Sequence, residues 1–160
     1  VTASTIDNSD AVPDCPGRVV SVGYEGREVG EFVRDLAARQ VTVLADVRLN
    51  AVSRRQGFSK TALRAALAEV GIDYVHLREL GNPRDNRESF AAPDPEPGRA
   101  KFRKRLALPE VKDDLETLRA LAAKTVVAVL CVERDHRRCH RDVVIDALQT
   151  VTAGSRRPRR

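Results

Sequence analysis

A chain of 160 residues, 42% hydrophobic and 32% charged, has the size and composition of one soluble globular domain with its own core. No apolar run reaches the roughly 18 residues of a membrane-spanning helix, and three cysteines are too few for a disulfide scaffold. The formal charge of +5 does not mark the folded body as a basic groove, because Arg156, Arg157, Arg159 and Arg160 at the C-terminus supply most of the excess.

The opening residues, VTASTIDNSDAVPDCPG, show neither the basic nor the apolar region of a secretory signal, so a cytoplasmic location is expected. Positions 1–17 are polar and aperiodic and read as a disordered arm carrying Cys15. A single domain is expected over 18–153. Val19, Val20 and Val22 make a short strand closed by the turn Gly23-Tyr24-Glu25-Gly26. Val29, Phe32, Val33 and Leu36 then keep helical spacing, predicting a helix over 28–40. Val41, Val43, Leu44 and Val47 form a second strand that runs into Asp46-Val47-Arg48.

A polar loop over 49–58 carries Arg54, Arg55 and Gly57. Ser59 suits an N-cap, and Leu63, Ala66, Leu67 and Val70 give the next amphipathic helix, stopped at Gly71. The stretch IDYVHL, 72–77, reads as a third strand. From 83 to 99 the periodicity is lost and Pro93, Pro95, Pro97 and Gly98 accumulate, so a long loop is expected: a flap over the sheet edge or an ordinary surface excursion. Pro109 opens a further helix with Val111, Leu115, Leu118 and Ala122 on one face. Val126 to Leu130 then read as a strand buried on both faces, followed by Cys131, Glu133, Arg134, Cys139, His140 and Arg141. A last helix turns Val144, Ala147, Leu148 and Val151 inward, and 154–160 form a basic tail.

Strands alternating with helices predict an α/β fold, a three-layer sandwich with a mostly parallel sheet of about four strands and helices on both faces. In such a sheet the carboxyl ends of the strands share one edge, where ligands bind. That edge collects Tyr24 and Glu25, Asp46 and Arg48, and then Cys131, Glu133, Arg134, Cys139, His140 and Arg141. The N-terminus of the last helix favours an anion nearby, and Arg48, Arg54 and Arg141 offer planar forks for one. The reading this supports is a pocket for a phosphate-bearing ligand, a nucleotide or a nucleic-acid end. Glu25 or Glu133 would act as base, His140 as acid or base, and Asp46, Tyr24 and Arg134 would complete the wall. Each residue also has a plain structural role open to it: strand-end charges that pair, and cysteines that pack.

Two other readings stand beside it. Cys131 and Arg137 obey Cys-x5-Arg, the spacing of phosphatase and sulfurtransferase anion loops, with Cys139 as a resolving thiol. Glu133 and Asp135 in that loop would repel an oxyanion. Asp46-Val47-Arg48 is also similar to the Asp-x-Arg strand end of rhodanese-like domains. The other reading is a non-catalytic module that binds a ligand or a partner. Cys131, Cys139 and His140 with Glu133 or His136 are ligand types for zinc, but the spacing is not a cysteine knuckle and neighbours in a helix diverge. No metal or other cofactor is therefore assigned. Membrane association is not expected, and the oligomeric state is open.

Val22-Gly-Tyr-Glu-Gly-Arg27, Asp46-Val-Arg48, Ser53-Arg54 and Gly57-Phe-Ser-Lys60 closely resemble the family called domain of unknown function 488. So do Tyr74-Val-His-Leu77 with Leu80-Gly81, and Cys131-Val-Glu133 with Cys139-His-Arg141. The resemblance runs from about Val19 to Leu148 in order, and departs at Asn50-Ala51, where the family often has a proline. It implies an α/β domain whose motif residues gather at one edge, and it implies no reaction.

Overall fold

The computed structural model describes residues 18–154, with side chains described to 149. The expected arm over 1–17 and the tail beyond Gly154 lie outside the described residues. Four strands, β1 (Val19–Gly23), β2 (Val43–Asp46), β3 (Asp73–His76) and β4 (Val127–Cys131), form one parallel sheet in the order β1-β4-β2-β3. Helices α1 (Val29–Ala38) and α2 (Lys60–Ala68) pack on one face. The other face is covered by α3 (Arg87–Ala91), α4 (Glu96–Leu106), α5 (Pro109–Lys124) and α6 (His140–Gly154). The expected three-layer α/β sandwich is what the chain forms.

The pleat explains how β4 serves both layers. Every one of its residues is buried, and alternate side chains go to opposite faces. Val127 and Val129 join a core with Phe102, Val111, Leu118 and Val144. Ala128 and Leu130 join the other, with Phe32, Leu36, Leu63 and Leu67. Leu36, Leu63, Leu67, Leu118 and Leu130 are wholly buried. Burial of this kind contributes about 1.5–3 kcal/mol per side chain.

Chain direction places the site. From β1 the chain steps past one position to β2 and on to β3, with α1 and α2 on one side. It then reverses and inserts β4 between β1 and β2. Right-handed crossovers put helices on opposite faces when the direction reverses, as is seen here. The carboxyl end of β4 is therefore a topological switch point, flanked on both sides by strands whose connections leave over the other face.

One expectation needs correction. The segment over 83–99 is no structureless loop: a 3-10 turn (Arg84–Asn86), α3 and the start of α4 occupy much of it. Pro97 stands in the first turn of α4, where a missing amide hydrogen is harmless. Gly98 is there for closeness, since a Cβ would fall 2.9 Å from the backbone of Ser89 and Phe90. Phe90 and Phe102 meet edge to face at 6.2 Å in the core. Among the described residues no helix is long and apolar enough to cross a membrane.

Candidate functional site

Two buried networks meet at the carboxyl edge, and the first is centred on Asp46 and Arg48. Arg48 stands two residues beyond the strand end and forks back onto the carboxylate of Asp46, the last residue of β2. Its Nε and Nη2 donate to the two Asp46 oxygens at 2.9 and 2.6 Å. Nη1 donates to the Phe58 carbonyl at 2.7 Å and to the Tyr24 hydroxyl at 3.3 Å. The Tyr74 hydroxyl donates to Asp46 Oδ2 at 2.5 Å, and His76 Nε2 donates to the Arg48 carbonyl at 2.8 Å. Tyr24 stacks on Phe58 at 4.3 Å with the Arg48 guanidinium 5.4 Å from its ring centre.

Asp46, Arg48 and Tyr24 are all buried. Burial works against the Arg48 charge, but the hydrogen bonds and charge of Asp46 more than reverse it and hold the guanidinium protonated. Burial and Asp46 together push the Tyr74 hydroxyl well above its ordinary range. All three nitrogens of Arg48 are engaged, so it offers no fork to a ligand. The place expected for an anion clamp holds an internal ion pair.

The second network lies at the end of β4. Cys131 closes the strand, Cys139 is extended just before α6, and His140 is the first residue of that helix. His140 Nε2 donates to the Val47 carbonyl at 2.8 Å. A carbonyl can only accept, so Nε2 carries the proton in the neutral ring and Nδ1 has its lone pair free. That Nδ1 faces Cys131 Sγ at 3.8 Å and Cys139 Sγ at 3.7 Å. Burial and the neighbouring Cys131 push the Cys139 thiol well up. Val47, between Asp46 and Arg48, thus joins the two networks.

Glu133 comes to the same point from the loop after β4. Burial of its carboxyl works upward, yet its own backbone amide and the Cys139 and Cys131 thiols hold it below the usual carboxylate range. Gly23 allows this approach: a Cβ there would stand 2.0 Å from the Glu133 carbonyl oxygen. We expect Gly23→Ala to cost about 1–3 kcal/mol through overpacking of backbone on backbone. A thermal melt identical to that of the parent protein would contradict this.

A cavity of about 190 Å³ opens beside Cys139, His140 and Glu133, with Asn82, Arg87, Phe90 and Arg138 on its other walls. Arg87 comes from α3 and Arg138 from a 3-10 turn (His136–Arg138). Among the described residues Arg87 has no ion-pair or hydrogen-bond partner. Arg138 reaches the Ala91 carbonyl at 3.4 Å and Asp135 at 3.9 Å. Asn82 Oδ1 accepts from Asn86 Nδ2 at 3.0 Å, so its own amide hydrogens are left for the cavity.

Residues 28–148 match the family described as domain of unknown function DUF488. The chain belongs to this family. No curated protein and no solved structure matches it.

Other expected residues of this DUF488 domain fall elsewhere. Arg141 is buried, with Nε on Ser21 Oγ at 2.6 Å, Nη1 on the Glu133 carbonyl and Nη2 on the Arg134 carbonyl at 3.1 Å. It secures the loop over Glu133 rather than reaching outward. Glu25 accepts from the Arg134 amide at 3.2 Å, and Asp135 accepts from the Arg137 amide at 3.0 Å. Two amides of the Cys-x5-Arg loop are therefore spent on carboxylates and form no nest for an oxyanion. Arg54 lines a separate, wider cavity with Arg55, Glu28 and Gly57, which shares no wall residue with the first.

Tyr74 and His76 entered the sequence reading only through the family motif Tyr74-Val-His-Leu77, without a role, and Asn82, Arg87 and Arg138 were missed as site residues. Tyr74 and His76 did carry a signal. They stand at i and i+2 on one strand face, with His76 opposite Asp46 and Tyr74 opposite Leu44 in the sheet register. Arg87 carried none, because its segment showed no periodicity.

Proposed function

We propose that this domain binds a phosphate-bearing ligand, a nucleotide or nucleic-acid end, in the cavity beside Glu133, Cys139 and His140. The observation that carries the reading is the pair Arg87 and Arg138, brought from two separate elements to the cavity that Glu133 also lines. Two guanidinium groups and the Asn82 amide supply the donors that phosphate oxygens accept. At about 190 Å³ the cavity is smaller than the roughly 300–1,000 Å³ that encloses a drug-sized ligand, so it suits a terminal phosphate with the rest outside. Glu133, held ionised, is the group placed to take a proton from water or a hydroxyl beside that phosphate. Arg48, Arg54 and Arg141 drop out of this reading.

Titration calorimetry with pyrophosphate and with a 5′-phosphorylated and an unphosphorylated dinucleotide tests it. Binding should require the phosphate, and Arg87→Ala or Arg138→Ala should each weaken it by about tenfold or more, the worth of one charge-assisted hydrogen bond. Arg54→Ala should leave it unchanged. Phosphate binding indifferent to both cavity arginines, or none at all, removes the proposal. Thiol chemistry has one observation in its favour, the contact of both sulfurs with His140 Nδ1. The burial of Cys139 and the spent loop amides count against it, and slow alkylation of both cysteines by iodoacetamide would exclude it.

A further inference from the structure

Adjacent residues within a helix point about 100° apart and do not share one ion. Cys139 does not lie in the helix. It is extended, with φ −130° and ψ 143°, and only His140 begins α6. The two neighbours can therefore turn toward one point, where Cys131 also arrives from the end of β4.

We infer that Cys131, Cys139 and His140 form a three-ligand site for a zinc ion, with a fourth position open to the cavity. Sγ of Cys131, Sγ of Cys139 and a ring nitrogen of His140 lie within 4.8 Å of one another. An ion about 2.3 Å from sulfur and about 2.0 Å from nitrogen at a tetrahedral angle separates those atoms by about 3.5 Å. The two sulfur–nitrogen distances, 3.8 and 3.7 Å, need little contraction to meet that.

The second requirement is a ligand nitrogen presented with its lone pair inward. The Val47 carbonyl imposes this by taking the Nε2 proton, the outer-shell arrangement that orients metal-binding histidines. Phe102 packs edge-on against the ring at 5.3 Å and fixes its plane. Two thiolates and one imidazole are a soft donor set that selects zinc over magnesium or calcium. The open side faces the cavity that Glu133 lines, so the fourth ligand is a solvent oxygen with the Glu133 carboxylate beside it. Closed structural sites lack such a position; metal centres that act on substrates keep one. The site stands whether or not a phosphate enters the cavity.

The test uses the full chain, reduced and freed of metal by a chelator. Zinc is titrated against a chromophoric competitor, and cobalt(II) is added as a spectroscopic substitute. One ion should bind per chain, and cobalt should give sulfur-to-metal charge-transfer absorption with intense tetrahedral d–d bands. Cys131→Ser, Cys139→Ser and His140→Gln should each weaken zinc by more than about 100-fold, beyond the 10–100-fold usual for outer-shell losses. Arg54→Ala should change nothing. Because a core variant can fail to fold, a second reading uses the parent protein: zinc, but not magnesium, should raise its melting temperature in step with zinc concentration, as a ligand of the folded state does. Absence of metal binding by the reduced chain overturns the inference. So does cobalt absorption without charge transfer, or zinc affinity untouched by both serine variants.

Discussion

Asp46→Asn should lower the unfolding free energy by about 3–5 kcal/mol, seen as an earlier urea midpoint at an unchanged slope. The carboxylate is fully buried and takes both forks of Arg48, the Tyr74 hydroxyl and the Arg48 amide. An amide in its place can accept at one oxygen only, and its NH2 would face a guanidinium that can only donate. The loss is large because the charge left behind, on Arg48, stays buried. Arg48→Met leaves the carboxylate stranded instead and should cost a similar amount. Removing both charges together should cost less than the sum of the two, because an apolar pair strands nothing. A midpoint for Asp46→Asn within experimental error of the parent would mean that the pair is no structural element. Arg48 would then return as a candidate ligand clamp.

That outcome bears on what a sequence can and cannot reveal. Periodicity placed the four strands and α1, α2, α5 and α6, because a parallel sheet buried on both faces demands continuous apolar strands and amphipathic helices. The segment over 83–99 escaped because its order comes from contact rather than pattern. Phe90, packed edge to face on Phe102, is its main anchor, and its glycine and Pro97 serve close packing and a helix start. Polar residues at the edge were legible as a set. Their assignment to solvent or interior was not, since an arginine that clamps a ligand and one that clamps a carboxylate have the same spacing in the chain. Arg48 and Arg141 belong to the second kind. The arginines that line the cavity, Arg87 and Arg138, come from a segment without periodicity and from a turn.

The cluster at the end of β4 was legible as residue types and misjudged in geometry. Counting helix positions placed Cys139 and His140 in one helix with divergent side chains. The 3-10 turn over His136–Arg138 ends in an extended residue, and that single change of backbone turns a diverging pair into a converging one. The reversal of chain direction at β4 then explains why these residues gather beside β2: Cys131 stands one step beyond the register pair Asp46 and Leu130.

Arg141 provides the sharpest test of whether the edge is held from inside. The residue is 1% exposed and, among the described residues, no carboxylate pairs with it; its partners are the Ser21 hydroxyl and the carbonyls of Glu133 and Arg134. Arg141→Met keeps the bulk of the side chain and leaves those acceptors without donors. Hydrogen bonds from a charged donor contribute about 1.5–3 kcal/mol each and do not simply add, so a total loss of about 2–4 kcal/mol is expected. Arg141→Lys should recover little of it, because a single ammonium cannot span acceptors on β1 and on the loop after β4. The effect should also be local. Hydrogen exchange should quicken at Arg134 and Arg137, whose amides bond to the side-chain carboxylates of Glu25 and Asp135, while Val127 to Leu130 in the central strand keep their protection. With the loop released, Arg138 in the turn that follows loses its place on the cavity wall, and phosphate binding in the cavity should weaken as a consequence. A variant of parental stability that has lost only ligand affinity would show the opposite: that Arg141 turns outward to the ligand and the loop needs no such anchor.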